Sequence, residues 1–236
     1  MKNRTSFALF LMFFSFAATA FGQQNIIIND PLKNEKPSNV SAAHENLIKN
    51  QILPRARKHW AGNDACQEDF ALSGAANGAF TKPSAAQTLV FYQFCQTGNG
   101  FGNNGLVLIE NGKIIGSYVS EGGWANGISR APDVNQNGLD EFLVYYSGGM
   151  HQGQGGTGAD VMEFSGANAI KGLGWFQAES FTEEDGFSYK VSVKPAKIPA
   201  YYREKYVSSG DDKWRKSGKI AVFKLGKVSG NFIALK

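Results

Sequence analysis

Residues 106–118 read Leu-Val-Leu-Ile-Glu-Asn-Gly-Lys-Ile-Ile-Gly-Ser-Tyr. Two aliphatic, partly β-branched runs flank the dipeptide Asn111-Gly112, and both runs have the composition of strands. Asn-Gly readily adopts the positive φ angles that a two-residue type I′ turn requires. This stretch therefore predicts a β-hairpin and, around it, an antiparallel sheet.

Short runs of the same kind continue through the rest of the chain, separated by glycine and polar residues. The other main strand candidates are residues 88–94, 142–146, 160–164, 170–177, 187–193 and 219–225. A short helix is expected around 199–205, between the last two. A complete propeller needs about four blades of four strands, which this chain is too short to supply. We therefore expect a mainly β fold: an antiparallel β-sandwich, or a partial barrel or propeller-like sheet.

The segment 41–62 has the pattern of a helical region that packs on the β-rich domain. Ser41 is a favourable N-cap, and Pro54 either kinks the helix or starts a second one. The apolar positions recur at helical spacing: Leu47, Ile48 and Ile52. The remaining residues, 63–236, are expected to form a single β-rich domain.

The first 22 residues have the pattern of a cleavable secretory signal. Lys2 and Arg4 precede an apolar run at 7–16, and small residues follow at Ala20 and Gly22. The alternative is a membrane anchor, but the apolar run is shorter than the roughly 20 residues that span a bilayer. We expect a secreted or periplasmic protein with no membrane span after cleavage.

Charge gives no support for a nucleic-acid partner. The chain has 24 basic and 20 acidic residues, a formal net charge of +4. Cleavage after Gly22 would remove Lys2 and Arg4 and leave a nearly balanced mature protein. The residues that follow the signal, 23–40, contain prolines and few apolar positions, and are expected to form a flexible leader.

The chain has two cysteines, Cys66 and Cys95. An exported protein meets oxidising conditions, so we expect the two to form a disulfide. The alternative is two free, buried thiols.

The sharpest chemical feature is the stretch 133–141, Asp-Val-Asn-Gln-Asn-Gly-Leu-Asp-Glu. Alternate residues of a tight loop can turn oxygen atoms inward around one ion, and Ca²⁺ takes six to eight hard oxygen ligands. Gly138 permits the sharp turn. The predicted ligands are the side chains of Asp133, Asn135, Asn137 and Glu141 and the backbone carbonyl of Leu139, with water completing the shell.

This stretch is not an EF-hand loop, because the twelfth position is Val144 instead of glutamate. Residues 131–147 are instead similar to one FG-GAP, or integrin-type, repeat, in which such a loop leads directly into an apolar strand. The resemblance implies a calcium site that joins β-strands in an extracellular recognition protein. The residues by themselves leave another possibility open, an Asx-rich turn whose side chains bind their own backbone without metal.

The glycine-rich stretch 147–158 is expected to be a mobile loop between strands and a rim for ligand contact, with His151 as a candidate ligand residue. Its glycine spacing formally matches a dinucleotide fingerprint, but the following residues look like a strand where that fingerprint needs a helix. Three tryptophans could line a carbohydrate surface, although aromatic residues in β domains are usually core: Trp124, Trp175 and Trp214.

These patterns favour an exported, non-enzymatic, calcium-binding β module that binds a protein or glycan partner, or serves structurally in the cell envelope. Calcium would order the 133–141 loop and, through it, the neighbouring glycine-rich loop. The competing interpretation is a small exported hydrolase that uses His151 with the nearby carboxylates Asp133 and Asp160. No nucleophile motif accompanies those residues.

Overall fold

The computed structural model describes residues 24–33, 39–59, 70–95, 102–122, 124–166, 169–208 and 213–235. Most of the described chain is in strands, which confirms the expected mainly β fold. The predicted signal, residues 34–38 of the predicted leader, and Cys66 lie outside the described residues. Cys95 is fully buried, and its pairing with Cys66 stays a prediction.

Two helices and fourteen strands are found within the described ranges. The helices are α1 (Ala42–Gln51) and α2 (Leu53–His59). The strands are β1 (Ile26–Asn29), β2 (Phe70–Gly78), β3 (Gln87–Phe94), β4 (Asn103–Glu110), β5 (Lys113–Glu121), β6 (Ala125–Ala131), β7 (Glu141–His151), β8 (Gln154–Phe164), β9 (Ile170–Thr182), β10 (Gly186–Lys194), β11 (Ala200–Ser208), β12 (Arg215–Lys216), β13 (Ala221–Phe223) and β14 (Ile233–Ala234).

The strands form two antiparallel sheets. Sheet I has the order β14-β5-β4-β3-β2. Sheet II has the order β12-β11-β10-β9-β8-β7-β6, with β1 paired to β10 and β13 paired to β11. Neighbours in the chain are mostly neighbours in the sheets, as expected for strands joined by short turns.

The predicted hairpin is confirmed as β4 and β5. Glu110 lies opposite Lys113, and the turn residues Asn111 and Gly112 have φ angles of 50° and 71°. These positive values are those of a type I′ turn, for which Asn-Gly is favoured. The hairpin is the centre of sheet I, because β3 pairs with β4 on one side and β14 with β5 on the other.

The predicted N-terminal helical region is present. The Ser41 Oγ accepts a hydrogen bond from the backbone N–H of His44 at 3.2 Å, so Ser41 is the N-cap of α1. The two helices cover the outer face of sheet I. The buried helix residues in that contact are Ile48, Ile52, Leu53 and Ala56.

A second core lies between the two sheets, with Phe80, Phe91 and Phe142 among its largest members. Sheet II also buries a third core on its opposite face. The Tyr145 hydroxyl donates to the Ile28 carbonyl at 3.3 Å, which joins β7 to a strand paired with β10. Sheet II therefore curls around the third core as a partial barrel.

Within the expected flexible leader, residues 26–29 form strand β1, which pairs with β10. Two further local expectations were wrong. Residues 200–208 form strand β11 instead of a helix, since they pair with β10 along its full length. The glycine-rich stretch is the end of a hairpin instead of a loop: β7 continues to His151, and Gln152 and Gly153 form a tight turn with φ angles of 52° and 78°. Tertiary strand pairing overrides local propensity in both cases.

In the described part of the chain, no helix is both long enough and apolar enough to cross a membrane.

Candidate cation site

The loop between β6 and β7 begins after Ala131 and ends where Glu141 starts β7. Its backbone adopts positive φ at Asp133 (31°), Gln136 (57°) and Gly138 (87°). Only glycine adopts such angles without steric cost, so Gly138 has the role expected from the sequence. Repeated left-handed residues allow the chain to turn tightly around a small volume.

Side-chain oxygens in the loop point to the loop's own backbone. The Asp133 carboxylate accepts from the N–H of Asn137 at 2.9 Å and of Gly138 at 3.2 Å. The Asn137 Oδ1 accepts from the N–H of Leu139 at 2.8 Å. This is the geometry of an Asx-rich turn. Each of these oxygens keeps a further lone pair, so the bonds do not prevent metal ligation.

Glu141 is the unusual residue of the site. Its side chain is fully buried (0 % exposed), and Oε2 accepts from the N–H of Val134 at 2.7 Å. Oε1 has no hydrogen-bond partner. The pKa of Glu141 is raised to about 7: burial is the largest cause, the backbone N–H groups of Val134 and of Glu141 itself partly offset it, and the carboxylates of Glu163 and Asp133 add to it. A buried carboxylate oxygen without a partner is costly, so it needs a cation or a proton.

Glu163 is a third acid at the site, which the sequence analysis did not identify. Strands β7 and β8 pair with Phe142 opposite Met162, so the next position outward brings Glu141 opposite Glu163. The only hint in the sequence is that Glu163 interrupts an otherwise largely apolar run before Phe164.

Glu163 joins the loop to sheet II. Its Oε2 accepts from the amide groups of Asn135 at 2.7 Å and Asn137 at 3.3 Å. Its Oε1 accepts from the Lys171 ammonium at 3.0 Å. The two asparagines are thereby held by their nitrogen ends, so their Oδ1 atoms stay on the loop side, where Asn135 Oδ1 accepts from the N–H of Asn137 at 3.1 Å.

Tyr201 adds a neutral oxygen. Its hydroxyl is buried and has no hydrogen-bond partner. The pKa of Tyr201 is raised by burial and, after burial, by the carboxylates of Glu141 and Glu163. Tyr201 lies in the segment expected to be a helix, so its approach to the loop could not be anticipated from the sequence.

Asp140 does not belong to the site. Its carboxylate accepts from the N–H of Ala79 at 2.6 Å and from the Arg130 guanidinium at 2.9 Å. The N–H of Asp140 in turn donates to the Ala79 carbonyl at 3.0 Å. Asp140 therefore fastens the loop to the end of β2.

The site has an excess of negative charge. The carboxylates of Asp133 and Glu163 both act on Glu141, and among the described residues the ammonium group that pairs with one of the three is that of Lys171. Within the described ranges, no three His, Cys, Asp or Glu side chains lie close enough together to hold a metal ion by themselves. An ion here would also need amide, backbone and water oxygens, as Ca²⁺ sites commonly use.

The carboxylates of the hydrolase interpretation have other partners. Asp160 is fully buried and accepts from the N–H of Ser229 at 2.9 Å and of Gly230 at 2.8 Å. The Tyr146 hydroxyl also bonds to it. Asp133 holds the amides of its own loop. His151 is the last residue of β7, and its side chain lies outside the part of the chain that the structure describes.

No family model, curated protein or solved structure matches this chain. The resemblance to an FG-GAP repeat therefore rests on the loop residues alone.

Proposed function

We propose that this chain is an exported, non-enzymatic β module that binds one Ca²⁺ ion at the loop between β6 and β7. The ligands are Asp133, Asn135, Asn137, the Leu139 carbonyl and Glu141, with Glu163 as an added acidic group beside them. The observation that carries the proposal is the buried Oε1 of Glu141, which has no partner. Calcium would supply the positive charge that this oxygen lacks.

The donor atoms favour calcium over other common ions. All are hard oxygens, whereas zinc sites in proteins mainly use cysteine and histidine. The set mixes carboxylates, amides and a backbone carbonyl, which suits the flexible coordination of Ca²⁺ better than the strict octahedron of Mg²⁺. Few of the ligands are charged, so we expect an affinity in the submillimolar to millimolar range of extracellular modules.

Calcium would act mainly as a clamp on the fold. It would neutralise the repulsion between Glu141 and Glu163 and join the loop to β7 and β8. A ligand that binds only the folded state at about 100 times its Kd stabilises by about 2.7 kcal/mol. The module would then present a stable surface to a protein or glycan partner, or contribute to the structure of the cell envelope.

Calcium does not act on the glycine-rich segment through direct contact. The turn at Gln152 and Gly153 lies at the far end of β7 from Glu141, ten residues or roughly 30 Å along the strand. Any effect on a partner bound there would be transmitted through sheet II.

The proposal is tested by calorimetric titration of metal-free protein with CaCl₂, together with thermal melts in calcium and in chelator. We expect one bound ion and a higher Tm in calcium. Glu141→Gln should abolish both effects and still fold, because it removes the buried charge and keeps the shape. Asp185→Asn, a change in an exposed turn, is the matched control and should behave like the wild type.

Absence of both heat and a Tm shift in the wild-type protein would exclude a calcium site. An unchanged calcium response in Glu141→Gln would show that the ion binds elsewhere.

A further inference from the structure

A groove of about 430 Å³ lies between sheet I and sheet II, away from the cation site. Residues of β4, β5, β7, β8 and β9 line it, together with the segment that precedes β14. The side chains that determine its chemistry are Trp124, Trp175, Tyr146, Asn104, Gln177 and Glu179. The volume is in the range of small-molecule sites in proteins.

Glycine residues shape the groove. A Cβ atom at Gly158 would lie 2.5 Å from the Trp175 ring, so the ring can rest on the strand only because no side chain is present. Gly156 and Gly158 both line the groove. The glycine spacing that resembled a nucleotide fingerprint therefore has a different reason: Gly155 and Gly158 make room for the Phe181 and Trp175 rings, and Gly153 forms the hairpin turn.

Trp124 is held in an unfavourable conformation and is half exposed (50 %). Its φ angle is 70°, a region that bulky residues rarely occupy. Its carbonyl accepts from the N–H of Ser147 at 2.8 Å, which fixes the backbone at this point. Strained residues of this kind concentrate at binding sites, where the surrounding structure holds them in place.

Polar groups accompany the rings. Trp175, Gln177 and Glu179 alternate along β9, so they project from the same face of the strand. Asn104 is 2 % exposed; its amide nitrogen donates to the Gly122 carbonyl, and its Oδ1 has no partner. The groove thus combines aromatic faces with planar amide and carboxylate groups.

The charge of the groove excludes anionic ligands. Among its described lining residues are two acids, Glu121 and Glu179, and no Lys, Arg or His. A phosphate, sulfate or carboxylate group would meet only like charge and would lack a cationic partner.

We propose that this groove binds a neutral saccharide. The apolar C–H face of a sugar ring stacks on tryptophan, and its hydroxyl groups donate to and accept from amide and carboxylate side chains. This inference specifies the partner class of the proposed module and in that respect rests on the proposed function. Because the groove and the cation site share no residue, the two can fail separately.

The experiment titrates the full mature protein with cellotetraose, xylotetraose, mannotetraose and chitotetraose, and separately with choline chloride. Tryptophan fluorescence and calorimetry report binding. We expect at least one tetrasaccharide to bind in calcium. Its affinity in chelator should be equal or lower. Trp124→Ala should weaken that binding about tenfold, the value of one lost stacking contact. Trp214→Ala is the matched control, since Trp214 lies outside the groove, and it should leave the affinity unchanged.

Glu179→Gln separates a neutral from a cationic ligand. It should keep saccharide affinity within about threefold, because glutamine still forms hydrogen bonds. Choline binding that is lost in Glu179→Gln would assign the groove to a cationic ligand and overturn the proposal. Absence of binding by all four saccharides up to about 10 mM would also overturn it. Calcium titration of the same samples shows whether the cation site is intact in either case.

Discussion

Glu141 and Asp160 are both fully buried carboxylates of sheet II, but they are satisfied differently. Asp160 accepts from two backbone N–H groups and from the Tyr146 hydroxyl. Glu141 accepts from the Val134 N–H at Oε2, and its Oε1 has no hydrogen-bond partner. Burial is the largest cause that raises the pKa of each.

The difference shows what distinguishes a structural acid from a candidate ligand. Burial and a raised pKa are common to both and therefore do not identify a site. The unpaired oxygen of Glu141 is the feature that distinguishes a candidate ligand, since native proteins rarely leave a buried acceptor of this kind unsatisfied. Asp160 holds the segment at Ser229 and Gly230 against sheet II, whereas the Oε1 of Glu141 is free to bind an ion.

The largest expected effect follows from removing the satisfied acid. Asp160→Ala leaves two backbone donors and the Tyr146 hydroxyl without their acceptor, so the free energy of unfolding should fall by about 3 kcal/mol and the Tm by roughly 10 °C. Denaturant titration and thermal melts measure the loss. The rise in Tm expected in calcium should be unchanged, because Asp160 is not among the proposed ligands.

Asp185→Ala, in an exposed turn, is the control for Asp160→Ala and should alter stability by less than about 0.5 kcal/mol. Loss of the calcium response in Asp160→Ala would contradict the division of roles between the two acids.

The sequence predicts the tight turn between β6 and β7 well because its residues are contiguous, whereas the ion itself stays a prediction. The spacing of Asp133, Asn135 and Asn137 and the glycine at position 138 are local properties, as is the hairpin at Asn111-Gly112. The mainly β fold class, the N-cap at Ser41 and the helical segment can be predicted from local patterns in the same way.

The remaining features depend on pairing between strands that are distant in the sequence, so local patterns could not predict them. Glu163 and Tyr201 reach the loop only because β8 and β11 belong to the same curled sheet. The groove combines Asn104 of sheet I with Trp175 of sheet II, which are 71 positions apart in the sequence. Local propensity also failed at residues 200–208, where pairing with β10 determines the structure.

An intermediate effect concerns the pH dependence of the metal-free protein. The pKa of Glu141 is about 7 in the folded state, against 4.5 as its ordinary value. The folded protein therefore holds this proton more tightly than the unfolded chain, and the stability it contributes below pH 4.5 is lost as the pH rises through 7. In chelator, the free energy of unfolding should fall by about 2 kcal/mol between pH 5 and pH 8.

The titratable and charged groups that face Glu141 are Asp133, Glu163 with its Lys171 partner, and Tyr201. Denaturant titrations at several pH values measure the fall, and saturating calcium should reduce it because the ion replaces the proton. Glu141→Gln should remove it in chelator. If the mutant retains the full pH dependence, another group is responsible.

The smallest expected effect tests whether Glu163 belongs to the cation site. Glu163→Gln keeps a side chain of the same size but removes one negative charge beside Glu141, so calcium affinity should fall about tenfold, or 1.4 kcal/mol. Lys171→Ala removes the ammonium that pairs with Glu163 at 3.0 Å, and should raise calcium affinity by about two- to threefold. Calorimetric titrations of both variants at one ionic strength give the two values. Opposite signs for the two variants are the signature of an electrostatic role, since a merely structural role of the Glu163–Lys171 pair would make both substitutions weaken binding.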